Sequence, residues 1–88
     1  MTTTELKNQI GAAAAVVTFT KKNGEKRVMK CAINQGFLRT VPDFIAPTKT
    51  AVFDAESRGM VRVWDLENGN WRTITAETVE TVETVEVQ

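Results

Sequence analysis

Two Asn-Gly pairs, at 23–24 and 68–69, constrain the fold of this chain more than any other feature. Asn-Gly between two strand-forming stretches is a strong β-hairpin signal, because both residues tolerate the positive φ of tight turns. The flanking stretches are 14–22 and 25–33 for the first hairpin, and 60–66 and 71–75 for the second. The chain is therefore predicted to be mainly β, and its 88 residues suit one domain.

Alternating apolar residues set the register predicted for the first hairpin. Val17 and Phe19 are odd-numbered, and so is Met29 on the return strand. A three-residue loop, Lys22-Asn23-Gly24, places Val17 opposite Met29 and keeps the apolar side chains on one face. A loop of two residues turns one of the two apolar sets outward. We therefore predict the three-residue loop, with Gly24 in the left-handed region.

The second hairpin is predicted to have a two-residue loop, Asn68-Gly69. In this register an opposite-charge pair and an aromatic pair form across the strands, each favourable by about 0.2–1 kcal/mol. The predicted pairs are Val63 with Ile74, Asp65 with Arg72, and Leu66 with Trp71.

The remaining segments complete a predicted small five-stranded barrel of SH3-like or Sm-like type. Residues 3–13 are predicted as a short helix capped by Thr3 or Thr4. An irregular arm follows at 34–49, and 50–54 is predicted as a strand. The domain is expected to span 1–76.

Residues 77–88 are expected to form an acidic tail beyond this domain. They repeat Glu-Thr-Val with period three, which fits neither a strand face nor an α-helix. A 3₁₀-like or frayed helix and a disordered tail are equally favoured interpretations, and an added strand is less favoured.

Net charge is zero, but it is unevenly distributed along the chain: residues 1–50 carry +5 and residues 51–88 carry −5. Three lysines, Lys22, Lys26 and Lys30, are predicted to share the outward face of the first hairpin, with Arg27 and Arg39 as candidate neighbours. Such a face suits nucleic-acid phosphates. The alternative is a solvated sheet edge guarded by lysines against pairing, or charge neutralisation between the two halves.

The aromatic residues allow two interpretations each. Trp64 and Trp71 are candidates for a platform on which bases stack, or for a cross-strand cluster that closes the barrel, and we favour the cluster. Phe37, Phe44 and Ile45 in the arm either pack on the core or dock a protein partner.

No catalytic site is expected. The chain has no histidine, which is the residue most used for general base chemistry near neutral pH. Its single cysteine, Cys31, is predicted to be a small buried hydrophobe, and no metal or cofactor site is predicted. Without a signal peptide or membrane-spanning segment, the protein is expected to work in a reducing cytoplasm.

Two segments carry a family resemblance: Val17 to Cys31, and Val63 to Arg72 with its Trp-Asp and Gly-x-Trp-Arg elements. Over about residues 15–76 the chain resembles small tailed-phage proteins of unknown function with a WYL-related, Sm-like SH3 β-barrel fold. The resemblance implies a barrel and a phage origin, and it implies no catalytic residues.

The first functional hypothesis is a small phage accessory module in the infected host cell. It would bind nucleic acid, or the host machinery acting on it, through the basic hairpin. The second is a protein–protein module, an inhibitor or a minor assembly component, that uses the arm and the acidic tail. Self-association into a homo-oligomer is a third candidate.

Overall fold

The computed structural model describes residues 1–42, 44 and 55–85. The helices and strands of these residues are α1 (Thr3–Ile10), β1 (Ala15–Thr20), β2 (Lys26–Ala32), α2 (Gln35–Leu38), β3 (Met60–Asp65), β4 (Asn70–Thr75) and β5 (Val79–Thr84), with a 3₁₀ turn at Ala76–Thr78. The strands form one antiparallel sheet in the order β4-β3-β2-β1-β5. The prediction of a mainly β fold with five strands and a short N-terminal helix is confirmed.

The core shows how the sheet is bent. Side chains from all five strands meet in one apolar cluster, so the sheet curves around them. Leu6 and Ile10 of α1 are 0% and 1% exposed and enter the same cluster, so the helix covers one end of it. The strand residues of this cluster are Ala15, Val17, Phe19, Met29, Cys31, Val61, Val63 and Ile74, with Val79 and Val82 packed against it.

The N-terminal helix begins at residue 3, as predicted, and ends at Ile10, earlier than predicted. Its N-cap is Thr2, not Thr3 or Thr4: Thr2 Oγ1 accepts from the Glu5 backbone N–H, and the Glu5 carboxylate accepts from the Thr2 N–H, both at 3.1 Å. This reciprocal capping box uses two backbone donors that a helix start leaves unpaired. The helix ends at Ile10 because Gly11 adopts a φ of 71°.

The first hairpin has the predicted register. Val17 pairs with Met29 and Ala15 with Cys31. The Gly24 N–H donates to the Lys21 carbonyl at 2.9 Å, and Gly24 has a φ of 87° in the left-handed region. Alternation of buried and exposed side chains therefore decides this register.

The register predicted for the second hairpin is wrong. The loop has four residues, 66–69, so Val63 faces Arg72, Trp64 faces Trp71 and Asp65 faces Asn70. The cause is the Asp65 carboxylate, whose Oδ1 accepts from the backbone N–H groups of residues 67 and 68 at 3.0 and 3.1 Å. This side chain organises a longer turn than Asn-Gly alone specifies.

The Glu-Thr-Val repeat, predicted to be a tail, contributes β5 to the sheet beside β1. The period of three is reconciled with a strand by a β-bulge: Val82 pairs with Val17 and Val79 with Phe19, which leaves Glu80 as the extra residue. Both valines therefore face the core although they are three positions apart along the strand. The least favoured interpretation of the repeat is thus the one that the structure has.

A second, smaller apolar cluster lies beside the core, around Trp64 and Leu38, which are 1% and 0% exposed. Phe37 and Phe44 of the arm pack against it, so the described part of the arm packs onto the domain as one interpretation expected. Ile45 and the strand predicted at 50–54 lie outside the described residues.

Candidate functional site

An open cleft of about 600 Å³ separates the tip of the first hairpin from the second hairpin. The described ladder between β2 and β3 covers two residue pairs, Cys31 with Asp65 and Ala32 with Trp64. Beyond them the hairpins form the two walls of the cleft. The described residues that line it include five cations and no carboxylate: Lys21, Lys22, Arg27, Arg62 and Arg72.

Arg62 and Trp71 form a stacked pair on the wall made by the second hairpin. The guanidinium carbon of Arg62 lies 5.4 Å from the centroid of the Trp71 ring, a cation–π distance. Arg62 Nε is buried and has no hydrogen-bond partner among the described residues. The pair therefore places a planar guanidinium against an aromatic ring on this wall of the cleft.

Asp65 lies behind the arginines of the cleft. Its side chain is 1% exposed, and its Oδ2 accepts from Arg27 Nη2 at 3.2 Å and lies 3.8 Å from Arg72 Nε. The Asn68 side-chain amide donates to the same oxygen at 2.8 Å. Burial alone would raise the pKa of Asp65, but the hydrogen bonds from residues 67 and 68 and the charge of Arg27 lower this pKa below its ordinary value.

The two tryptophans have different environments. Trp64 is buried, and its ring meets those of Phe44 and Trp71 edge-to-face at centroid distances of 5.2 and 5.3 Å. It is a structural residue and offers no open face for stacking, so its assignment to an aromatic platform is wrong. Trp71 is half-buried and lines the cleft.

The basic residues singled out in the sequence do not form one patch. Lys22 and Arg27 line the cleft, whereas Lys26 and Lys30 are exposed on the opposite, outward face of the first hairpin. Arg39 is the C-cap of α2 and is absent from the described lining. The lysine face of the hairpin is thus divided between two surfaces.

The outward face carries mixed charge. Lys26 Nζ pairs with Glu80 Oε2 of β5 at 3.3 Å. Val16 of β1 pairs with Lys30 on one side and with Glu83 on the other, so the lysines of β2 and the acids of β5 flank a neutral strand. This arrangement resembles the charge neutralisation that was the alternative expectation from the sequence.

Lys21, Arg62 and Arg72 join the cleft without having been predicted as site residues. Arg72 was expected to pair with Asp65, which it does at 3.8 Å, but its place on the cleft wall depends on the register of the second hairpin. One sequence signal was available: Arg62 and Trp64 are two residues apart on β3 and so share a face. The Arg62–Trp71 contact needed the Trp64–Trp71 register as well.

The described ranges 1–42, 44 and 55–85 show neither a cluster of metal ligands nor an accessible cysteine thiol. These ranges hold no group of three His, Cys, Asp or Glu residues placed to bind a metal ion. Cys31 is fully buried, and burial together with nearby Asp65 raises the pKa of its thiol to about 12, so it is an inert apolar residue as predicted. None of the helices in this part of the chain has the length and apolar character needed to cross a membrane.

These features define a class: a small antiparallel β-barrel domain with a cationic, aromatic-walled cleft between two hairpins. Comparison with known families identifies it further. The chain belongs to the WYL_2 family, which has the Sm-like SH3 beta-barrel fold, and the family model matches residues 3–79. The predicted barrel fold is thereby confirmed, and the match includes the start of β5. No curated protein and no solved structure matches the chain.

Proposed function

We propose that this protein is a non-catalytic module that binds single-stranded nucleic acid in the cleft between its two hairpins. The observation that carries the proposal is the combination of five cations with the Arg62–Trp71 pair on the walls of one cleft. Proteins that bind single strands combine a positively charged groove with planar side chains on which bases stack. The likeness to tailed-phage proteins favours a phage-encoded accessory role in the infected host cell.

Lys21 and Lys22, at the tip of the first hairpin, supply exposed positive charge for phosphates. Arg62 adds a guanidinium charge on the opposite wall, held against the Trp71 ring at 5.4 Å. Because the described lining has no carboxylate, a phosphate chain entering the cleft meets attraction along both walls. The outward face, where Lys26 faces Glu80 at 3.3 Å, offers no comparable field.

A role based on the arm has less support. Phe37 and Phe44 pack against the cluster around Trp64, so they present little apolar surface to a protein partner. Capture of a nuclease-resistant host protein by the purified domain, without oligonucleotide binding, would favour this second function.

The test compares two charge reversals on one hairpin. Lys21→Glu/Lys22→Glu alters the cleft, and Lys26→Glu/Lys30→Glu makes the same charge change on the outward face. Binding of labelled oligothymidylate, oligouridylate and a mixed-sequence duplex is measured by fluorescence anisotropy. Removing one lysine–phosphate interaction costs about fivefold in affinity near 0.1 M salt, so the cleft reversal should cost more than about twentyfold for the single strands.

The outward reversal should change affinity by about twofold or less, because its charges are exposed and screened. Equal losses from the two reversals, or tighter binding of the duplex than of both single strands, would overturn the assignment to the cleft. The two single strands separate a DNA preference from an RNA preference.

A further inference from the structure

The two oxygens of the Asp65 carboxylate have different partners, and only Oδ2 contacts the arginines. Oδ1 accepts the backbone N–H groups of residues 67 and 68 and so builds the turn. Oδ2 accepts from the Asn68 side-chain amide at 2.8 Å, and it also receives Arg27 from the first hairpin and Arg72 from the second, at 3.2 and 3.8 Å. One buried oxygen thus ties together side chains from both walls of the cleft.

Both arginines line the cleft, whereas Asp65 is 1% exposed and is not among the described residues of its lining. The carboxylate is therefore behind the guanidinium groups relative to an incoming ligand. A free arginine side chain loses roughly 0.5–1.5 kcal/mol of conformational freedom when a ligand immobilises it. An arginine already held by a carboxylate has lost part of that freedom before binding.

We infer that Asp65 is a positioning residue: it holds Arg27 and Arg72 ready for the phosphates of a single strand without contacting the strand itself. The inference rests on the proposed function, which it deepens by giving Asp65 a role beyond its cross-strand charge pair with Arg72. It also accounts for a carboxylate beside a site that binds anions, since its charge is shared between two guanidinium groups.

A positioning role and a purely electrostatic role of Asp65 predict opposite changes in oligonucleotide affinity for Asp65→Asn. The variant keeps a carbonyl oxygen for the backbone N–H groups of the turn and loses the anionic oxygen that holds the arginines and accepts from the Asn68 amide. It also adds one unit of positive charge at the cleft, so electrostatics alone predicts tighter binding of an oligonucleotide. Loss of positioning predicts binding of oligothymidylate about tenfold weaker, because two arginines must be ordered on binding.

Two controls separate positioning from a general structural effect. Glu67→Gln removes an exposed carboxylate from the same turn and should leave affinity unchanged or slightly higher. In an Arg27→Gln/Arg72→Gln background, Asp65→Asn should cause no further loss of affinity, because the side chains through which it acts are gone. A further loss in that background would assign Asp65 to the turn alone and overturn the inference.

A wild-type protein that does not bind either single strand refutes the proposed function and the inference with it. Wild-type binding with equal or tighter binding by Asp65→Asn refutes the inference alone. If Asp65→Asn does not fold, the inference is tested instead by NMR of the arginine Nε–H groups in the wild-type protein. The signals of Arg27 and Arg72 should shift when oligothymidylate is added, and unmoved signals would overturn the inference.

Discussion

The two hairpins carry the same Asn-Gly dipeptide, yet different forces set their registers. In the first, alternation of buried and exposed side chains selects a three-residue loop with Gly24 at its end. In the second, hydrogen bonds to Asp65 select a four-residue loop that places Trp64 opposite Trp71. The dipeptide marks where the chain turns, and the neighbouring side chains decide how many residues the turn takes.

The hairpins also contribute different chemistry to the cleft. The first supplies Lys21 and Lys22, which are exposed and act over distance. The second supplies the Arg62–Trp71 pair, which acts by contact at 5.4 Å. In the proposed function the first hairpin governs the salt dependence of binding, and the second governs the affinity that remains at high salt.

The largest expected effect is on stability, and it tests the special role of the second hairpin. Trp64→Ala empties the middle of the second apolar cluster, where the ring is 1% exposed and touches Phe44 and Trp71. It should lower the free energy of unfolding by about 3–5 kcal/mol, measured by urea denaturation. If Trp64→Ala lowers the free energy of unfolding no more than Trp71→Ala does, the two rings contribute equally to stability and Trp64 has no special structural role.

The next largest effect is on oligonucleotide affinity, and it separates the contribution of ring contacts from that of long-range charge. Trp71→Ala should weaken binding of oligothymidylate by about 1–3 kcal/mol with no change in the slope of log affinity against log salt. Lys21→Gln/Lys22→Gln should reduce the steepness of that slope by about 0.7 for each phosphate that is no longer neutralised. Anisotropy titrations over a salt series measure both, and a changed slope in Trp71→Ala would contradict the division of labour between the hairpins.

The smallest effect is a pH dependence of the second hairpin. Because the pKa of Asp65 is lowered by folding, its charged form stabilises the native state above its unfolded pKa of about 3.9. This contribution is lost as pH falls through the lower, folded pKa. The difference in unfolding free energy between wild type and Asp65→Asn should therefore shrink between neutral pH and strongly acidic pH.

Taking the difference between these two proteins removes the contribution of Glu5, whose pKa is also lowered, by its capping hydrogen bonds in α1. A difference that stays constant down to the lowest pH at which both proteins fold would mean that the Asp65 charge does not stabilise the second hairpin.

Much of the fold could be predicted because one rule dominates it. Where a strand has one buried face, as at Val17 and Phe19, the alternation fixes both the strand and its partner register. The same rule failed for the Glu-Thr-Val repeat, since Val79 and Val82 are three positions apart and need a bulge at Glu80 to share a face. A bulge is a property of the strand pair, so the pattern of one strand does not reveal it.

Less of the candidate site could be predicted. The sequence placed Lys22, Lys26 and Lys30 on one outward face, but Lys22 lies at the tip beside the cleft. Arg62 and Arg72 come to the cleft through the register of the second hairpin, which depends on side-chain hydrogen bonds at Asp65. Strand positions follow from local patterns, whereas a cleft depends on where two hairpins diverge.

The bulge in β5 has one more consequence, for how this segment can change over time. Because Glu-Thr-Val repeats every three residues, sliding the strand by three residues puts Val82 where Val79 was, Glu83 at the bulge in place of Glu80, and Val85 where Val82 was. Gain or loss of one whole unit therefore leaves the inward-facing residues of the barrel the same, while gain or loss of a single residue turns them outward. Strand β5 thus consists of interchangeable three-residue units. Replication errors that add or remove one unit preserve the pattern of its inward-facing residues.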